Sequence, residues 1–205
     1  MAAAAVGAHD AHDDHHHGPP EAHRSSRVEP AFLGMLLFII SEVMIFGAFF
    51  TAYFFIRVVG GAEWPHAGDE LPKLIAGFNT AILISSSFTI HFAQESIKKN
   101  NRLGLQVGMV ATFLLGLTFL FIQINEYVHI GFSPQDHAQG TIFYGLTGLH
   151  GAHVTIGLML LSFVTIRAFR GHYSADAYRG MEVPGIYWHF VDVMWIVVYF
   201  TVYII

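Results

Sequence analysis

The sequence contains no cysteine among its 205 residues. It therefore has no disulfide, no thiolate ligand for zinc or an iron–sulfur cluster, and no cysteine nucleophile. Charged residues are also scarce, at 12% of the chain, whereas soluble proteins carry about 25%. Seven of the 25 charged side chains lie within residues 1–30, which leaves long later stretches with almost none. Together with a hydrophobic content of 54%, this scarcity excludes a water-soluble globule.

An excess of basic charge is missing as well, since the formal net charge is −5. A nucleic-acid-binding protein carries clustered Lys and Arg on one face, so no nucleic-acid partner is expected. The sequence also lacks an HExxH zinc motif, a glycine-rich phosphate loop, the charged helix of a voltage sensor and the paired broken helices of secondary transporters. What remains as the main feature of the chain is a series of long apolar segments.

Residues 1–29 form the part of the chain that does not share this apolar character. They are rich in Ala, His and Asp, show no hydrophobic periodicity and contain six of the 14 histidines. This composition predicts a disordered cytoplasmic tail rather than a metal site, because no fold fixes the histidines relative to one another. The tail has neither the basic start nor the apolar core of a signal peptide, so the first membrane segment is expected to direct insertion itself.

Five apolar segments follow the tail, and they cover residues 31–56, 74–93, 103–124, 141–166 and 183–205. A hydrocarbon layer of about 30 Å takes about 20 helical residues to cross, and each segment has at least 20. Transmembrane strands are shorter, at about 10 residues, and alternate between polar and apolar positions. We therefore predict an all-α integral membrane protein, with a bundle of five transmembrane helices making up residues 30–205.

The distribution of Lys and Arg predicts the orientation of this bundle. Eight of the ten basic residues lie in the tail and in the connections after the second and fourth segments. Basic residues favour the cytoplasmic side of a membrane, which predicts the N-terminus inside and the C-terminus outside. No connection is longer than 17 residues, so the protein is expected to act within the bilayer or through a partner.

Ionisable residues within spanning helices are the first candidates for function, because they are costly there unless they face a partner or a cavity. Glu42, in the run FIISEVMIF, lies eleven residues into the first segment, a depth of about 16 Å. Its segment contains no Lys or Arg that could pair with it. Glu42 is predicted either to exchange protons or to be a protonated acid that hydrogen-bonds to a neighbouring helix.

The fourth segment contains the run GLTGLHGAHVTIG, in which His150 and His153 lie three residues apart and share a helix face. Two interpretations of these histidines stay open: ligation of haem or a metal, and hydrogen bonding between helices. The small residues Gly148, Gly151 and Ala152 are predicted to let another helix approach closely.

The fifth segment contains YWHFVDVMW, which places Asp192 three residues after His189, so that the carboxylate can accept a hydrogen bond from the imidazole. This pair is predicted to join helices or to form a buried polar site. In the second segment, Asn79 begins a stripe of hydroxyl and amide side chains suited to hydrogen bonds between helices. Glu126, at the end of the third segment, is expected at the outer interface in contact with water.

Five runs of this sequence resemble subunit III of the haem–copper terminal oxidases, the cytochrome c oxidase family. They occur in the same order as in that family, and together they extend over essentially all of residues 30–205. The runs are GMLLFIISEVMIF at 34–46, FNTAIL at 78–83, FIQINEY at 121–127, GLTGLHGAHVTIG at 145–157 and YWHFVDVMW at 187–195.

The resemblance implies a non-redox accessory subunit in the cytoplasmic membrane of a bacterium. It implies that haem and copper belong to partner subunits, that this chain binds no cofactor of its own, and that bound phospholipid is present. The expected partners are the catalytic subunit I together with subunit II. The family role is to keep the catalytic subunit active and to support proton uptake or the access of lipid and oxygen, and Glu42 matches the family's buried glutamate.

The chain departs from many family members in having five predicted helices rather than seven, and so resembles a shorter bacterial form. The resemblance leaves the electron donor open between cytochrome c and quinol. Two alternatives from other functional classes also remain at this point. One is a membrane cytochrome with haem held by His150 or His153 and His189, and the other is a proton-coupled transporter that uses Glu42.

Overall fold

A computed structural model describes residues 30–60, 71–174 and 178–205. The regular structure in these ranges is entirely helical, as predicted. The helices are α1 Pro30–Gly60, α2 Lys73–Lys98, α3 Arg102–His129, α4 Ala138–Phe169 and α5 Arg179–Tyr199, and a π-helical turn follows at Phe200–Ile204. Five helices are long and apolar enough to cross a membrane, which confirms the predicted number of spans. The tail predicted over residues 1–29 lies outside the described residues.

The helices extend beyond the apolar segments that predicted them, and α2 shows why. Its apolar segment ends at residue 93, but the helix continues to Lys98, and the last turn carries an ion pair of 2.9 Å between Glu95 and Lys98. Charged side chains end a hydropathy pattern at the edge of the hydrocarbon layer, whereas the backbone hydrogen bonds of the helix continue through the interface.

The turn between α2 and α3 brings these two helices into close contact. Asn100 adopts a positive φ of 57°, and the side chain of Asn101 caps α3 by accepting a 3.0 Å hydrogen bond from the Gly104 N–H. One turn later, a Cβ added at Gly108 would lie 2.8 Å from the Cβ of Ala93. The glycine therefore sets how closely α3 can approach α2.

The contacts between helices place α4 and α5 at the centre of the bundle and α1 at its edge. Helix α4 packs against α1, α3 and α5, while α5 also packs against α2. In α1, the buried residues are Phe46 and Tyr53, and most of its large apolar side chains are exposed. Most of the surface of α1 is therefore available to lipid or to another protein.

Trp188 and Trp195 of α5 are fully buried and form the middle of the core. The indole N–H of Trp188 donates a 2.8 Å hydrogen bond to the Ser86 hydroxyl, and that of Trp195 donates a 2.9 Å hydrogen bond to Thr80. A Cβ at Gly116 would lie 2.5 Å from the Trp188 ring, so this position of α3 must be glycine for the ring to fit. Hydrogen bonds from tryptophan thus attach α5 to α2 within the buried core.

The small residues predicted to bring helices together on α4 contact no other helix closely within the described residues. A Cβ added at Gly148 or Gly151 would meet no atom within 4 Å, and Ala152 is exposed. These positions therefore have no close partner among the described residues, and their packing role stays a prediction for contacts with other molecules. The close approaches occur instead at Gly108 and Gly116 of α3.

Candidate functional site

Glu42 and His153 form a close polar contact between α1 and α4. The Oε2 atom of Glu42 on α1 lies 2.9 Å from Nε2 of His153 on α4. Both side chains are largely shielded, with exposed fractions of 13% and 8%. Of the two histidines in the α4 motif, His153 is therefore the one that contacts the buried carboxyl.

The second nitrogen of His153 determines where the protons of this pair can lie. Its Nδ1 atom is 2.7 Å from the backbone carbonyl of Leu149, and a carbonyl only accepts, so Nδ1 carries a proton. The 2.9 Å contact between Nε2 and Glu42 then needs one further proton, which sits on either the carboxyl or the imidazole. The neutral pair and the ion pair hold the same number of protons and differ only in where that proton lies.

Aromatic side chains enclose the Glu42–His153 pair. The rings of Phe46 and Phe190 lie 5.1 and 6.3 Å from the imidazole of His153, measured between centroids. The hydroxyl of Tyr187 donates a 3.2 Å hydrogen bond to the His153 backbone carbonyl. Residues of α1, α4 and α5 therefore hold the imidazole in one orientation and exclude water from much of its surface.

His150 is fully buried and turns away from Glu42 towards α5. Its Nε2 atom donates a 3.2 Å hydrogen bond to the backbone carbonyl of Val191, and its ring packs on Trp195 with 4.7 Å between centroids. Its Nδ1 atom is buried without a hydrogen-bond partner. The two histidines of the α4 motif thus hydrogen-bond to different helices, α5 for His150 and α1 for His153, even though they lie three residues apart.

His189 and Asp192 are joined through Ser87 of α2 rather than to each other. The Ser87 hydroxyl donates to Oδ2 of Asp192 and lies 3.2 Å from Nδ1 of His189. With its only hydroxyl proton directed at Asp192, Ser87 accepts from Nδ1–H of His189. The contact expected within α5 is therefore completed by a residue 102 positions away from His189.

Glu126 does not lie in water, as was expected from its position near the end of α3. It is 5% exposed, and its Oε1 atom accepts a 2.6 Å hydrogen bond from the hydroxyl of Tyr203. The expectation is wrong because the π-helical turn after α5 covers this end of α3. Asn79 is also buried, and its amide donates a 3.2 Å hydrogen bond to the Phe119 carbonyl, which joins α2 to α3.

Sequence reasoning placed Ser87 in the polar stripe of the second segment without identifying its partner, and it did not identify Tyr203. Ser87 is one of three consecutive serines, and successive helix positions point about 100° apart, so the sequence does not say which of them faces α5. Tyr203 is one of several aromatic residues near the end of the chain, and no spacing links it to Glu126.

The described residues contain no group of three or more His, Asp or Glu side chains arranged to hold a metal ion. His150, His153 and His189 each make a hydrogen bond to a different element of this chain. His153 has both ring nitrogens in hydrogen bonds, whereas Nδ1 of His150 has no partner.

Comparison with known proteins identifies close similarity over almost the whole chain. Residues 16–205 match the sequence model of the family described as cytochrome c oxidase subunit III. A protein named cytochrome c oxidase subunit 3 from Thermostichus vulcanus is 41% identical over 174 residues, which are 84% of this chain and 86% of that protein.

Proteins with the same name from other organisms are also similar. The one from Synechocystis sp. is 41% identical over 191 residues, covering 93% of this chain and 78% of that protein. The one from Oryctolagus cuniculus is 37% identical over 176 residues, covering 83% of this chain and 67% of that protein.

Proposed function

Because the chain belongs to the cytochrome c oxidase subunit III family, we propose that it acts as the non-redox accessory subunit of a haem–copper oxidase. The complex is a proton-pumping oxidoreductase that reduces oxygen to water. In this role the chain stabilises the catalytic subunit and supports proton uptake or the access of lipid and oxygen. The names of its relatives favour cytochrome c over quinol as the electron donor of the complex.

The observation that carries this function is the state of the three intramembrane histidines. His150, His153 and His189 each hydrogen-bond to a different partner within the chain. These hydrogen bonds join α4 to α5 and α1 and join α5 to α2, so the three histidines link helices, as expected of an accessory subunit. Haem and copper are accordingly assigned to partner subunits.

Glu42 is the residue proposed to link this chain to proton uptake or to a lipid-lined surface. Its contact with His153 holds one proton that can lie on either group. Helix α1 is the edge helix, so the carboxyl lies close to the surface that lipid or a partner covers. An intramembrane polar scaffold is proposed whose members each hydrogen-bond to a neighbouring helix: His150, His153, His189, Asp192 and Asn79.

The exposed apolar surface of α1 and the open small-residue surface of α4 are proposed as contacts with other molecules of the complex. The catalytic subunit I, accompanied by subunit II, is the expected protein partner, and membrane phospholipid covers what remains. Gly148, Gly151 and Ala152 stay predicted helix-packing positions, now towards a partner rather than within the chain.

The proposed location is the cytoplasmic membrane of a bacterium, which fits the cyanobacterial relatives. The proposed orientation places the N-terminus inside and the C-terminus outside, because most Lys and Arg would then face the cytoplasm. Residues 1–29 are proposed to be a tail on that side, separate from the transmembrane domain over 30–205.

Purification in mild detergent through a tag on this chain tests the proposal. The expected result is a complex in which a haem-bearing subunit accompanies the chain, and in which the reduced-minus-oxidised visible spectrum leaves with that subunit when the two are separated. A chain that purifies alone and colourless contradicts the proposal and calls for transport assays. A chain that purifies alone with a haem spectrum supports a membrane cytochrome instead.

A further inference from the structure

Four buried residues near the outer ends of α2 and α3 and the middle of α4 carry polar atoms that no protein group satisfies. These residues, which we call the core polar cluster, are Asn79, Gln123, Glu126 and His150. Their exposed fractions are 0%, 1%, 5% and 0%. The atoms without a hydrogen-bond partner are Oδ1 of Asn79, both amide atoms of Gln123, Oε2 of Glu126 and Nδ1 of His150.

Contacts around one face of α3 bring these residues together. Asn79 donates to the carbonyl of Phe119, and the ring of Phe119 lies 5.6 Å from that of His150. Gln123 and Glu126 follow at the next positions on the same face, four and seven residues further along. The cluster therefore extends over about 10 Å of the axis of α3, at about 1.5 Å per residue.

Two tyrosines border the cluster, one near the C-terminal end of α3 and one in the π-helical turn after α5. The hydroxyl of Tyr203 donates to Glu126 at 2.6 Å, and the hydroxyl of Tyr127 donates to Thr147 at 2.8 Å. The side chain of Gln123 lies next to both hydroxyls, yet neither atom of its amide has a partner of good geometry. Both phenol protons are thus committed elsewhere, so neither tyrosine donates to Oε1 of Gln123, although their oxygens can accept from its amide N–H.

The unsatisfied atoms require both donors and acceptors. Asn79 Oδ1, Gln123 Oε1 and Nδ1 of His150 need donors, since Nε2 of His150 already donates to Val191. Gln123 Nε2 needs an acceptor, which a phenol oxygen or a water can supply. Oε2 of Glu126 needs a donor when the carboxyl is ionised and an acceptor when it is protonated, so it lacks a partner in either state.

We propose that the core polar cluster is an internal hydration site that binds ordered water between α2, α3 and α4. Water both donates and accepts, and a buried water commonly makes about three hydrogen bonds to polar groups that would otherwise be unsatisfied. A metal ion cannot accept a hydrogen bond from the amide N–H of Gln123, and an anion cannot donate one to the acceptor atoms.

A structure of the purified oxidase complex at a resolution that shows ordered water tests this proposal directly. The expected density is water within about 2.7–3.2 Å of Glu126 Oε2 and of at least one more unsatisfied atom of the cluster. A dry cluster, or side chains that satisfy one another directly, overturns it. The proposal concerns the core of this chain and goes beyond the oxidase function. Failure of the proposed oxidase function would be recognised at the purification step, because the chain would then purify without a haem-bearing partner.

A pair of variants gives a second test, in which the thermal dissociation temperature of a cluster variant is compared with that of a control variant. In Gln123→Leu, loss of the amide leaves the bound water with fewer partners, so we expect a lower temperature of thermal dissociation of the complex. Gln106→Leu makes the same chemical change on α3 outside the cluster and serves as the control. If Gln123→Leu matches or exceeds the control in stability, the amide was unsatisfied in a dry site, and the proposal is overturned.

Discussion

At the scale of single residues, the contact between Glu42 and His153 explains how a carboxyl is tolerated within an apolar helix. The shared proton keeps the pair at zero net charge whether it lies on the oxygen or on the nitrogen. An uncompensated charge at this depth would cost far more than a matched pair. The same contact allows the proton to move between α1 and α4 without a change in total charge.

The first prediction concerns two substitutions of Glu42. In Glu42→Gln, the amide N–H can donate to Nε2 of neutral His153, so the hydrogen bond persists while the shared proton is lost. We expect the complex to assemble with near-native thermal stability, but with lower oxidase activity or faster inactivation during turnover. Glu42→Ala leaves Nε2 without a partner, and we expect an additional loss of about 1–3 kcal/mol of stability.

Oxygen consumption and thermal dissociation of the purified complex measure the two effects separately. Ser41→Ala is the matched control, because the Ser41 hydroxyl bonds only to the carbonyl of Phe38 in its own helix. Native activity and durability in Glu42→Gln would mean that the carboxyl is only a structural link.

The sequence identified these polar residues but not their partners. Glu42 is conspicuous because it is an acid within a run of apolar residues. The identity of its partner depends on how α1 lies against α4, across 111 residues of chain. Ser87 illustrates the same limit, since only the packing of α2 on α5 distinguishes it from the serines beside it.

At the scale of helices, glycine decides where large side chains fit. The ring of Trp188 lies against Gly116 of α3 and Gly157 of α4, where added Cβ atoms would lie 2.5 and 2.8 Å from it. Neither position was singled out from the sequence, because the predicted small-residue pairs lie on the opposite, open surface of α4. A pattern of small residues predicts that close packing is possible, but it does not say against what.

The second prediction tests this packing with Gly116→Ala. The added methyl group meets Trp188 in the core, and overpacking of this kind costs about 1–3 kcal/mol. Gly47→Ala is the control, since a Cβ at that position of α1 meets no atom within 4 Å. Thermal dissociation of the complex is the measurement, and equal stability of the two variants would show that the core near Trp188 is loosely packed.

At the scale of the whole molecule, the five helices form a bundle whose outer surface is largely apolar. Large hydrophobic side chains are exposed on all five helices, most densely on α1. A water-soluble protein rarely exposes apolar patches larger than a few hundred Å², so the surface agrees with a protein surrounded by lipid and by the other subunits of an oxidase.

The third prediction tests the proposed orientation, and the absence of cysteine makes the test simple. We expect Gln135→Cys, in the connection between α3 and α4, to react with a membrane-impermeant maleimide in right-side-out vesicles. Lys99→Cys, in the turn between α2 and α3, should react only after the membrane is permeabilised. Both positions are exposed in the chain, and both variants should react in detergent, which controls for shielding by partners. The reverse pattern would place the N-terminus outside.

The sequence by itself determined that this is a five-helix membrane protein of the cytochrome c oxidase subunit III family. Spans follow from the length of apolar runs, which is a local property of the chain. The tertiary structure alone decided the partners of the polar residues: His153 for Glu42, Ser87 for Asp192 and Tyr203 for Glu126. Each of these contacts depends on the rotation and neighbours of whole helices, and in lipid those are set by side-chain packing rather than by hydropathy.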